Sequence, residues 1–159
     1  MPARTPGFVS LIRNCVASWP ERAGVRSDLL DAGALSHAVP AGIGLHPFFV
    51  RDEATELRCR TSSVWLSDAE VLPTERVGVP AVWDFSAGRR LGDVALDNCF
   101  EGWDGRATIT WPSRGLVLEM TASESLGTLV IFTPPKRPFF CVEPVSHANG
   151  RIAATRLAA

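Results

Sequence analysis

The chain has 159 residues, 46% hydrophobic and 21% charged, the balance of one folded domain and not of a disordered segment. Sixteen basic residues against seventeen acidic ones leave a formal charge of -1. That charge supplies no bulk attraction to nucleic acid or to an anionic membrane, so a small uncharged molecule is the expected partner.

Residues 1–24 mix Pro, Arg, Ser and Cys without a sustained period, and Leu11, Cys15 and Val16 would share one face of a short helix. The apolar run at 8–12 breaks on Arg13-Asn14-Cys15, so no export signal is expected, and no stretch is long enough to cross a bilayer. The four cysteines at 15, 59, 99 and 141 form no CxxC pair, which argues against zinc ribbons and redox dithiols. Read as small buried hydrophobes, they suit a reducing cytoplasm.

From about 25 to 143 the chain reads as β-rich. Thr55-Glu56-Leu57-Arg58-Cys59-Arg60 alternates polar and apolar, as a half-buried strand does. A second such run over 106–111 puts Ala107, Ile109 and Trp111 on one side, and a third places Leu116, Leu118 and Met120 together. Pro112-Ser113-Arg114-Gly115 between them is a turn signal that predicts a hairpin. Thr128-Leu129-Val130-Ile131-Phe132 is continuously apolar and stops at Pro134-Pro135, which predicts a strand covered on both faces. Phe139-Phe140-Cys141-Val142 predicts another. Short strands punctuated by Pro and Gly predict an all-β, antiparallel β-sandwich. The tail at 149–159 turns to Ala, Arg and Thr and is expected to pack loosely.

Three polar positions stand out. His46 follows Gly42-Ile43-Gly44-Leu45 and precedes Pro47-Phe48-Phe49: the glycines permit close backbone approach, and Pro47 holds His46 extended. Such an imidazole suits proton transfer or ligand binding, although a structural histidine satisfied by backbone is the simpler reading. Asp97 lies near Phe100 and Trp103, a composition suited to a sugar, whose C–H face packs on aromatic rings while carboxylates accept from its hydroxyls. Turn chemistry explains the same Asp, Asn and Gly equally well. Glu143 ends the apolar run before Pro144, where partial desolvation would raise its pKa and strengthen it as a base; the alternative is a strand-end residue facing solvent. His147 is read as structural. Periodicity does not choose among these alternatives.

A resemblance does. Pro40-Ala41-Gly42-Ile43-Gly44-Leu45-His46-Pro47-Phe48-Phe49, then Trp83-Asp84-Phe85, then Leu96-Asp97-Asn98-Cys99-Phe100-Glu101-Gly102-Trp103, Thr133-Pro134, and Phe140-Cys141-Val142-Glu143-Pro144-Val145-Ser146-His147 resemble, in order, the aldose 1-epimerase (galactose mutarotase-like) family. The resemblance covers residues 25–148 and leaves 1–24 and 149–159 unmatched, so the chain looks like the C-terminal half of such a protein. It implies a truncated β-sandwich binding a hexose, with Glu143 as general base, His46 as general acid, Asp97, Phe100 and Trp103 as substrate contacts, and no metal or organic cofactor. Family members also carry an arginine and a second histidine in an N-terminal half that nothing here matches. A non-catalytic carbohydrate-binding remnant and an inactive gene fragment are therefore alternatives to an active isomerase, and exposed strand edges would promote self-association.

Overall fold

Strict alternation decides where the first layer forms. In β9 (Arg106–Trp111) Ala107, Ile109 and Trp111 are buried while the residues between them are not. Gly115, in the left-handed region at φ 60°, closes the turn to β10 (Leu116–Thr121), which pairs antiparallel from Leu116↔Trp111 to Thr121↔Arg106. This is the hairpin expected from Pro112-Ser113-Arg114-Gly115. β4 (Glu56–Cys59) pairs with the other side of β9, and β7 (Arg89–Arg90) with β4, giving a four-stranded sheet in the order β10-β9-β4-β7.

The structure, a computed structural model, describes residues 42–149 and, as backbone, the strands β1 (Ile12–Trp19) and β2 (Arg22–Leu29). These two pair with each other as an antiparallel hairpin. The short helix expected around Cys15 and Val16 is thus replaced by strand; a β-branched valine and cross-strand pairing outweigh a weak helical spacing. Leu11 and the tail beyond Asn149 lie outside the described residues.

The second layer is a six-stranded antiparallel sheet in the order β3-β12-β11-β8-β5-β6. Its strands are β3 (Phe48–Val50), β5 (Ser63–Ser67), β6 (Pro73–Gly78), β8 (Leu96–Glu101), β11 (Thr128–Thr133) and β12 (Phe139–Val145). Asp97, open to a turn reading from sequence, sits within a strand. As expected of a strand covered on both faces, β11 is buried at every residue but Phe132, which is half-buried.

The two sheets face each other across one apolar core. Leu57, Ile109 and Trp111 from the smaller sheet meet Val64, Phe100, Leu129, Ile131, Phe140 and Val142 from the larger. Trp111 also donates from Nε1 to the Val50 carbonyl at 2.7 Å, tying β9 to the edge strand of the opposite sheet. The all-β sandwich expected from the sequence is the fold observed. Because one face of the six-stranded sheet is used up by this core, side chains at alternate positions must emerge on its other face.

Candidate active site

That other face is where the chemistry collects. Strand pairing brings Cys141 beside Phe48 on one side and beside Phe132 on the other, and Phe132 in turn beside Asp97. The next row runs from Glu143 to Val130 to Cys99, with Trp65 packed against Val130 and Cys99. Glu143 and Cys141, two residues apart on β12, therefore share the face with Asp97, two strands away.

His46 reaches this face through a segment that behaves almost as a seventh strand. Leu45 donates to the Pro144 carbonyl at 3.0 Å, Ser146 donates to the Ile43 carbonyl at 2.8 Å, and Ile43 donates to Ser146 Oγ at 2.9 Å. Gly44 forms an isolated bridge to Val145, and a Cβ on it would lie 2.7 Å from Val145 Cγ1. The close approach expected of the glycines is thus made against the end of β12. Gly42 packs against the ring of His147, whose Nδ1 lies 2.9 Å from Ser146 Oγ; His147 orders the segment, as a structural residue should.

The result is a direct contact between His46 Nε2 and Glu143 Oε1 at 3.2 Å. The His46 side chain is 54% exposed and stacks on Phe48 at 4.8 Å, whereas that of Glu143 is only 10% exposed. Burial pushes the Glu143 carboxyl above its ordinary value; His46 pulls it down and Asp97 pushes it up. Burial also raises Asp97, again opposed by His46. The Cys141 thiol is pushed up to about 11 by burial, with Glu143 and Asp97 adding to the effect.

Two residues expected to touch a substrate do not face this site. Phe100 is fully buried between the sheets, and Trp103 is buried in the same core with Nε1 donating to the Arg106 carbonyl at 2.8 Å. Phe100 stands three residues from Asp97 on one strand, an odd separation that turns it to the opposite face. A different aromatic surface borders the site, beginning with Phe48, one of the two aromatics that follow His46 in the sequence. Phe48 packs against Phe139 at 5.2 Å, and Phe139 against Phe132 at 6.3 Å, forming a rim beside His46 and Cys141. For Phe139 a signal existed, since it lies an even four residues from Glu143. Phe132 depends on strand register, which no local pattern reveals.

Further along the face, Trp65 donates from Nε1 to Glu101 Oε1 at 2.9 Å, and Glu101 Oε2 meets Arg76 at 3.0 Å. Cys59, Cys99 and Cys141 are buried free thiols, as expected of small hydrophobes.

Comparison with known proteins agrees with this architecture. The sequence model of the aldose 1-epimerase family matches residues 31–153. The chain belongs to the aldose 1-epimerase family. It is 30% identical over 121 residues to the uncharacterized protein YphB of Escherichia coli (strain K12), covering 71% of this chain and 42% of that protein. A solved structure of an aldose 1-epimerase candidate from Escherichia coli K12 superposes with a TM-score of 0.65 at 30% identity, over 69% of this chain and 40% of that one. The Slr1438 protein of Synechocystis sp. PCC 6803 follows with a TM-score of 0.54 at 25% identity, over 70% of this chain and 36% of its own. This aldose 1-epimerase family member thus spans less than half the length of these relatives. Among its described residues no helix is long and apolar enough to cross a membrane.

Proposed function

We propose that the chain interconverts the α and β anomers of an aldose by general acid–base catalysis, with Glu143 as base, His46 as acid and Asp97 holding sugar hydroxyls. The observation that carries this reading is the 3.2 Å contact between a desolvated carboxylate and an exposed imidazole on the open face of the sheet. With a proton on His46, the pair already holds acid and base in the forms the first step consumes. Glu143 takes the proton from the anomeric hydroxyl while His46 gives one to the ring oxygen. The bond from C1 to the ring oxygen breaks, and an open-chain aldehyde forms. Rotation about C1–C2 and the reverse transfers then close the ring on the other face of the carbonyl. Each transfer is worth about 10²–10⁴-fold, and none leaves a free charged intermediate.

For a pyranose to enter, the pair must part. The exposed imidazole is the mobile member, since Glu143 is enclosed by its strand neighbours. The half-buried Phe132, lying between Cys141 and Asp97 in the strand register, offers a ring on which the sugar's C–H face packs. Three buried free thiols fit a reducing compartment, and we place the protein in the cytoplasm.

Exchange of α and β glucose or galactose, followed by saturation-transfer NMR, tests the assignment. Glu143→Gln keeps the shape and removes the base; exchange is expected to fall by about 10²–10⁴-fold with the fold intact. Full activity in that variant ends the assignment. A binding role without turnover is the second reading, resting on Asp97 and its strand neighbour Phe132, which can hold a sugar without proton transfer. Sugar-dependent tryptophan fluorescence with no anomer exchange would select it.

A further inference from the structure

The open face carries a third group that proton transfer does not use. The Cys141 sulfur lies directly beside the acid–base pair: His46 nitrogen, Cys141 Sγ and a Glu143 carboxylate oxygen all fall within 4.8 Å of one another. We propose that these three side chains form a binding site for a zinc-like divalent cation, which switches the pair off while it is bound.

The donor set selects the ion. One imidazole, one thiolate and one carboxylate is the mixed nitrogen, sulfur and oxygen environment that zinc accepts, while calcium and magnesium demand oxygen throughout. Zinc bonds of about 2.0–2.3 Å in a tetrahedron set ligand atoms about 3.3–3.8 Å apart. His46 and Glu143 already stand at 3.2 Å, and the cluster's 4.8 Å limit requires only a small closure. Side-chain torsions supply it, with the exposed His46 ring the least enclosed of the three. Cys141 and Glu143 need no rearrangement of backbone, since both project from the same face of β12, which is held between β11 and β3.

Electrostatics point the same way. Two carboxylates, Glu143 and Asp97, and the Cys141 thiol are crowded on one face of the sheet. A divalent cation relieves that crowding, and coordination removes the thiol proton outright. Three protein ligands leave a fourth position open to water. Because the ion occupies His46 Nε2 and the Glu143 carboxylate, it competes with proton transfer and is no cofactor for it. That regulatory consequence rests on the catalytic reading above; cation binding itself does not.

The test uses the full chain, stripped with a chelator and titrated with Co2+ as a coloured substitute for Zn2+. One equivalent is expected to bind with a thiolate-to-cobalt charge-transfer band and the intense visible bands of a four-coordinate ion, and Zn2+ is expected to bleach both. Cys141→Ala and His46→Ala should weaken binding about tenfold or more. His46 is exposed, so its variant keeps the fold even if the buried cysteine variant does not. Cys99→Ala, on the same face but outside the cluster, should bind as the wild type does. Absence of the thiolate band, or its survival in both the Cys141 and His46 variants, overturns the site. In the activity arm Zn2+ should suppress anomer exchange at least about tenfold, with recovery on chelation; undiminished exchange by the zinc-loaded protein overturns the switch. No exchange in metal-free protein with the band intact overturns the catalytic reading alone.

Discussion

The two faces of strand β8 carry the contrast on which the molecule is built. Leu96 and Phe100 point into the space between the sheets, where they are buried among Leu57, Ile109, Ile131 and Phe140. Asp97 points the other way, toward Phe132 and the face that carries His46 and Glu143, and remains exposed. One face is a packing problem solved with aliphatic and aromatic volume. The other keeps polar groups in partial desolvation, where their protonation can be tuned. The same residue types have different meanings on the two faces: a phenylalanine at 100 holds the fold, and one at 132 is available to a ligand.

Substitutions on each face should therefore fail in different ways. The largest effect is expected for Phe100→Ala, which removes a fully buried ring and should cost about 3–5 kcal/mol in urea unfolding. Sugar affinity per folded molecule should not change. Gly44→Ala comes next: the new methyl lies 2.7 Å from Val145 Cγ1 and 3.3 Å from the Pro144 carbonyl, so the segment carrying His46 must shift. About 1–3 kcal/mol of stability should be lost, and anomer exchange should fall more than sugar binding does. Phe132→Ala should weaken sugar binding by about 0.5–1.5 kcal/mol, read by fluorescence titration. If Phe132→Ala leaves affinity untouched while Phe100→Ala lowers it, the division between the faces is wrong.

Protonation provides a gentler test. Burial raises Glu143 and Asp97, so the folded state holds their protons more tightly than the unfolded chain does. Their contribution to stability is complete below the ordinary carboxylate range, about pH 4, and is lost as pH rises through the raised folded values. The stability difference between Glu143→Gln and wild type should accordingly move in favour of the variant as pH increases, measured by urea midpoints at each pH. The smallest effect is expected at Val117 on β10 of the smaller sheet, 56% exposed. Val117→Thr should change stability by no more than about 0.5 kcal/mol and leave exchange untouched.

How much of this could be read from the chain follows the same division. β4, β9 and β10 declare themselves by alternation, and β11 and β12 by continuous apolar runs, because each strand's environment is written in its own residues. β3 and β7, of three and two residues, are too short to show a period. β6 (Pro73–Gly78) is an edge strand with little buried surface, so its Thr74-Glu75-Arg76 reads as loop. Glu143, His46 and Asp97 were visible through family resemblance, and counting by twos along β8 would have turned Phe100 inward. The same count puts Cys141 on the face of Glu143, whereas the meeting of His46 with Glu143 was implied by the resemblance alone, since it depends on which segments become neighbours and not on spacing within any one of them.

The backbone bonds from Leu45 to Pro144 and between Ile43 and Ser146 have a mechanical consequence. Nearly a hundred residues of chain separate the imidazole from the carboxylate, yet both ride on one short ribbon stitched across a single strand end. Breathing of the wider sandwich carries the two groups together instead of apart. Their spacing is then a local property, set within a few residues of β12 and insulated from slack elsewhere in the sheets.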